Sequence, residues 1–86
     1  MILPFEDTAP SGAELTPYDG AHMKLYMRLL DAEADGADWR EAVLILFGID
    51  PVREPDRAKR VHDSHLARAR WMMHTGYRHL LRRSAN

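Results

Sequence analysis

Apolar residues recur at helical spacing along most of this chain, and no stretch alternates as a half-buried strand would. The first signal is Thr16-Pro17-Tyr18-Asp19: a threonine N-cap, proline at the first helical position and a carboxylate at the third. Beyond it His22, Leu25, Tyr26, Leu29 and Leu30 share one face, with Lys24, Arg28 and Asp31 opposite, and Gly36 ends the helix near Asp35. Asp38 predicts the cap of a second helix running to about Phe47, before Gly48. Its inner face is Trp39, Ala42, Val43, Leu46 and Phe47. Leu44 and Ile45 point elsewhere, so the helix is apolar most of the way round. Burial on several sides in the middle of a bundle is the simpler expectation; the sharper one makes Leu44 part of an exposed protein-binding patch.

A connector with two prolines, 48–55, leads into the longest periodic stretch, from Asp56 as N-cap to Gly76 as the residue that ends it. Ala58, Val61, His62, His65, Leu66, Ala69, Met72 and Met73 fall on its core side, while Arg57, Arg60, Ser64, Ala67, Arg68 and Trp71 fall outside. Tyr77, Leu80 and Leu81 then have the spacing of a short last helix, with Arg78, Arg82 and Arg83 outward. The pattern predicts an all-α fold: a small three- to four-helix bundle containing a helix-turn-helix-like unit, with an extended N-terminal arm over 1–15, the helical domain over 16–83 and a tail over 84–86. Two prolines and a glycine in the arm, with few periodic apolar positions, are why it is read as non-helical, pinned if anywhere by Ile2, Leu3 and Phe5.

Eighty-six residues allow one small core. Cysteine is absent, which excludes disulfides and thiolate metal sites. The longest apolar run, Ala42 to Phe47, is too short to cross a bilayer, and Met1 to Phe5 lacks the basic and long apolar regions of a signal peptide, so a cytoplasmic protein with no membrane partner is expected. Charge changes the picture more. Residues 1–52 hold three basic against ten acidic side chains, and residues 53–86 hold nine basic against three acidic, a dipole concealed by a net charge of −1.

Candidate chemistry is sparse. His62 and His65 are three apart on one helical face, but HExxH and any third ligand are missing, so two packed core histidines are expected and no metal. Asp63-Ser64-His65 is contiguous, and on a helix its side chains diverge instead of forming a relay. Neither phosphate loop nor nucleophile elbow is present. The chain reads as a non-enzyme without cofactor or small-molecule ligand. The basic face of the long helix is the serious candidate: Arg57, Lys59, Arg60, Ser64 and Arg68 suit a second helix laid in a DNA major groove, although the connector exceeds the usual turn of 3–4 residues. Trp71 on the same face reads either as an interface anchor or as packing against Tyr77 and Leu80.

The segments LLDAEADGADWRE, HDSHLARARWM and GYRHLL resemble the RovC-type DNA-binding domain family, widespread in proteobacteria and common on integrative and conjugative elements, with the likeness running from about Leu15 to Arg82. That resemblance implies a helix-turn-helix-like regulatory domain. It also implies two functions, since some members are the DNA-binding ends of transcriptional activators and short members include antiactivators that sequester FseA-like excision activators and TraR-like quorum-sensing regulators. The acidic half, Leu44 and Trp71 favour a protein partner; the basic helix favours promoter DNA.

Overall fold

The computed structural model describes residues 4–76. Four α-helices follow an irregular arm: α1 (Pro17–Ala21), α2 (Met23–Ala34), α3 (Trp39–Phe47) and α4 (Pro55–Trp71), the last continued by one π-helical turn, Met72–Gly76. The expected last helix at Tyr77, Leu80 and Leu81 lies outside the described residues. So does the pinning of the arm by Ile2 and Leu3.

Local chemistry sets most boundaries. Thr16 and Asp19 form a reciprocal capping box: the Thr16 hydroxyl accepts from the Asp19 amide at 3.2 Å, and Asp19 Oδ2 accepts from the Thr16 amide at 2.9 Å. The helix begun there is not one rod, as the periodicity predicts, but breaks at His22 (φ −113°, ψ 20°) into α1 and α2. A tertiary contact accompanies the break. The His22 ring nitrogens lie 2.8 Å from the Tyr18 carbonyl oxygen and 2.7 Å from that of Pro4, tying the break to the start of the arm. A neutral ring, with one N–H, donates to only one of them at a time.

Gly36 and Gly48 end α2 and α3 in the left-handed region (φ 73° and 71°), where a Cβ would be strained. Asp38 caps α3 by accepting from the Arg40 amide at 2.8 Å. For α4 the expected cap shifts: Glu54 is the N-cap, Pro55 the first helical residue, and Asp56 sits in the first turn, where its charge suits the positive helix end. At its other end α4 gives way at Met72 to the π turn, which runs to the Gly76 expected to end the helix.

The core is built round α4. Ala58, Val61 and Leu66 meet Leu29 of α2 and Val43 and Phe47 of α3, joined by Ile49 of the connector, with Phe5 of the arm packed against them. A second cluster joins Tyr26, Ala69 and Met72, flanked by Leu15, Leu30 and Trp71. The expected inner face of α3 is deepest at Ala42, Val43 and Phe47; Trp39 and Leu46 are only half-buried. Leu44 and Ile45 are 51% and 71% exposed, so α3 is not enclosed on several sides: an apolar pattern says that burial would be favourable, not that this chain supplies the cover. No helix among the described residues is long and apolar enough to cross a membrane.

Candidate interaction surface

The outward face of α4 is covered by the arm. Residues 5–14 run along it and engage its polar side chains in turn. Asp7 receives Arg57 at 3.0 Å and stands 3.8 Å from Arg60, the Ser64 hydroxyl accepts from the Ala9 amide at 3.0 Å, and the Arg68 guanidinium donates to the carbonyl oxygens of Gly12 and Glu14. Arg57 also pairs with Glu54 and lies 5.7 Å from the Phe5 ring centroid. Lys59 is on the other flank, between Asp63 at 3.4 Å and the Trp39 ring.

Arg68 corrects the expectation most. Helical spacing sets it outside, yet the residue is 3% exposed. Its Nε and Nη2 donate to the two carboxylate oxygens of Asp19 at 3.0 and 2.7 Å, a bidentate pair inside the protein. Asp19 also accepts from the Tyr26 hydroxyl at 2.7 Å and from Thr16. One carboxylate thus joins the N-terminus of α1, α2 and α4. Trp71 is half-buried: the Arg68 guanidinium lies 3.9 Å over its ring, and together with Thr8, Ala9, Pro10 and Ser11 it lines a hollow of about 240 Å³ between arm and helix. Any packing of Trp71 on Tyr77 and Leu80 lies outside the described residues. Among the sequence candidates, the arm therefore gathers Arg57, Arg60, Ser64, Arg68 and Trp71, Lys59 stands on the adjacent flank, and Leu44 is separate, on the exposed side of α3.

Both core histidines are engaged in hydrogen bonds. His62 Nδ1 meets Asp63 at 2.9 Å. His65, fully buried, donates from Nδ1 to the Val61 carbonyl at 2.7 Å, so its Nε2 accepts from the Tyr18 hydroxyl at 2.6 Å; that hydroxyl in turn accepts from the Glu6 amide at 3.0 Å. This network requires neutral His65, and burial pushes its pKa below the usual 6.5 in spite of the Val61 carbonyl. The unfolded chain then binds the extra proton first, so the stability contributed by neutral His65 is whole above about pH 6.5 and declines as the pH falls below it.

Asp19 has the same sign at lower pH. Burial alone would raise its pKa, but hydrogen bonds from Arg68, Tyr26 and Thr16 outweigh that and hold it at about 2, against an ordinary 3.8. Its stabilising contribution is present above the unfolded value and is lost as the pH falls from about 4 to about 2, a loss of about 2 kcal/mol from this group. Urea unfolding followed from pH 5 to pH 2 should show the midpoint falling steeply across that interval. A flat profile there would mean that the carboxylate is not held by the pair.

Sequence reasoning missed Asp7, Asp19, Tyr18 and His22 as partners of α4 and the arm. A signal was available: the opposed charge of the two halves, read as a surface for something else, is partly consumed inside the molecule. Comparison with known proteins now adds a family. A model of the family described as "T6SS, Transcription factor, DNA binding domain" (RovC_DNA-bd) matches residues 4–82, nearly the whole chain. No curated protein matches it.

Proposed function

This chain belongs to the RovC-type family of transcription-factor DNA-binding domains, and on that footing we propose that it regulates transcription by binding an activator protein, as an antiactivator. The activators suggested by the resemblance are FseA-like excision activators and TraR-like quorum-sensing regulators, so that its action would repress excision and conjugative transfer of an integrative and conjugative element.

One observation carries this reading: the face of α4 that a duplex would have to meet is filled by the protein's own arm, with Arg68 buried against Asp19. Apolar side chains are meanwhile exposed elsewhere. Leu44 and Ile45 stand on the outer side of α3 with Glu41, which has no ion pair among the described residues, and Val52 of the connector is 85% exposed. Such a surface suits a basic, partly apolar segment of an activator, and complementary charge speeds encounter. Titrating the isotope-labelled protein with a candidate activator should perturb the amides of Glu41, Leu44 and Ile45. Leu44→Asp should weaken binding about tenfold or more with the helical content unchanged, as for loss of an interface anchor. No perturbation at stoichiometric concentrations would sink the proposal.

Direct DNA reading is the second possibility, favoured by the family's description and by the exposure of Lys59 and Arg60 near the start of α4, the part of a recognition helix that meets base edges. It requires promoter binding that weakens steeply with salt. Absence of any complex at low salt removes it.

A further inference from the structure

Along α2 runs a stripe of charge that the described residues leave unanswered. Lys24, Arg28, Asp31 and Asp35 lie at i, i+4, i+7 and i+11, on one side of the helix, and all are exposed. None makes an ion pair among the described residues, whereas Arg40, Arg57, Lys59, Arg60, Arg68 and Arg70 all do.

The order of the signs does not serve the helix itself. Lys24 stands in the first turn, which holds no acidic residue, and Asp35 is the C-cap of a last turn without a basic one, the reverse of what the helix dipole favours. Lys24 and Arg28 are like charges at i, i+4, as are Asp31 and Asp35, and that spacing destabilises an isolated helix.

The same order is complementary to itself. A second α2 laid antiparallel sets Lys24 against Asp35 of the other copy and Arg28 against its Asp31. Both pairings share one midpoint, between Leu29 and Leu30, so a single two-fold axis makes them together and each occurs twice. An antiparallel neighbour also opposes the two helix dipoles, head to tail. A stripe of zero net charge favours neither an acidic nor a basic partner; its order favours its own copy. Met23 and Met27, 40% and 58% exposed, stand beside the stripe and supply apolar contact, without which exposed ion pairs contribute little. A net charge of −1 gives two copies little mutual repulsion.

We propose that α2 is a homodimerisation helix: two copies of this chain pair antiparallel along Lys24, Arg28, Asp31 and Asp35, covering Met23 and Met27 beside them. A helix of 12 residues makes a small interface, so the dimer is transient, populated at about 0.1 mM and above. The inference concerns α2, not the α3 face, and does not rest on the function proposed above.

The test uses sedimentation equilibrium of the full chain, with the amide shifts of α2 followed on dilution from about 1 mM. The wild type should dimerise, and the amides from Met23 to Asp35 should shift with concentration. Lys24→Glu with Arg28→Glu makes the stripe wholly acidic, and Asp31→Lys with Asp35→Lys makes it wholly basic. Each of these proteins alone should dimerise about tenfold or more weakly. Mixed in equal amounts, they should form a heterodimer at least as tight as the wild-type dimer. All of these changes in one chain reverse the order, keep the net charge and should restore self-association, while Leu44→Asp should leave the wild-type dimer unchanged. A wild type that stays monomeric at about 1 mM overturns the proposal. A dimer that the acidic and basic variants form as well as the wild type, or that Leu44→Asp abolishes, overturns it by placing the contact elsewhere. A mixture that stays monomeric, or a reversed stripe that fails to self-associate, overturns it by removing the antiparallel pairing.

Discussion

Replacing Arg68 with alanine is expected to lower the stability of this domain by about 3–5 kcal/mol, the usual cost of removing one partner from a buried ion pair. Small domains have only about 5–15 kcal/mol in total, so a large part of the population should be unfolded at ambient temperature. The magnitude follows from what is left behind. Asp19, no longer paired, would remain buried with only Tyr26 and Thr16 as donors, and the carbonyl oxygens of Gly12 and Glu14 would lose the guanidinium that holds the arm. Arg68→Lys should recover only part of the loss, because an ammonium group does not reproduce the planar fork that reaches both carboxylate oxygens and two carbonyls together. Arg68→Ala and Asp19→Ala should be strongly non-additive, since the second change removes the charge stranded by the first. Urea unfolding of the four proteins of that cycle measures this. If Arg68→Ala fell within about 1 kcal/mol of the wild type, the value of an exposed pair, the burial of Arg68 would be refuted.

How much of this was legible in the sequence depends on the range of each interaction. The caps at Thr16 and Asp38 and the turns at Gly36 and Gly48 rest on contacts between neighbours in the chain, and they stand where the residue types predict. The core side of α4 was equally readable, because Ala58, Val61, His62, His65, Leu66 and Ala69 repeat at the helical period and are all buried. The outer side was not. Arg68 meets Asp19 from 49 residues away and Gly12 from 56, and Ser64 meets Ala9 from 55. A helical projection shows only which side chains leave the helix together, not which distant backbone returns to meet them. The break at His22 was hidden for a similar reason, since its side chain bonds to Pro4, 18 residues upstream. Spacing placed Met73 on the core side of α4, yet it is 52% exposed, and it assigned Met23 and Met27, 40% and 58% exposed, to no face.

Phe47→Ala is the second large effect, expected to cost about 3–5 kcal/mol, in the range for a buried aromatic cut to a methyl group. Phe47 is 3% exposed at the end of α3, and its ring meets two others edge-on: Phe5 of the arm at 5.0 Å and His65 of α4 at 4.9 Å between centroids. Those contacts bind three elements that are far apart in sequence, and such pairs contribute beyond the area they bury. Truncation would leave a void beneath the arm, with Phe5 as the neighbour best able to move into it, because Phe5 belongs to no helix. Relaxation of Phe5 into the void would draw the cost toward the lower end of that range. Phe5→Ala, at a half-buried ring, should cost less, and combining the two should cost less than their sum because the second truncation has already lost its neighbour. Trp39 provides the contrast. It is larger than Phe47 but half-buried, lying against His62 and Lys59 at the rim, so Trp39→Ala should be the milder change. Chemical unfolding midpoints rank the three directly: Phe47→Ala below Trp39→Ala and Phe5→Ala. The reverse order would place the centre of the core at the α3 N-terminus and would separate the arm from it.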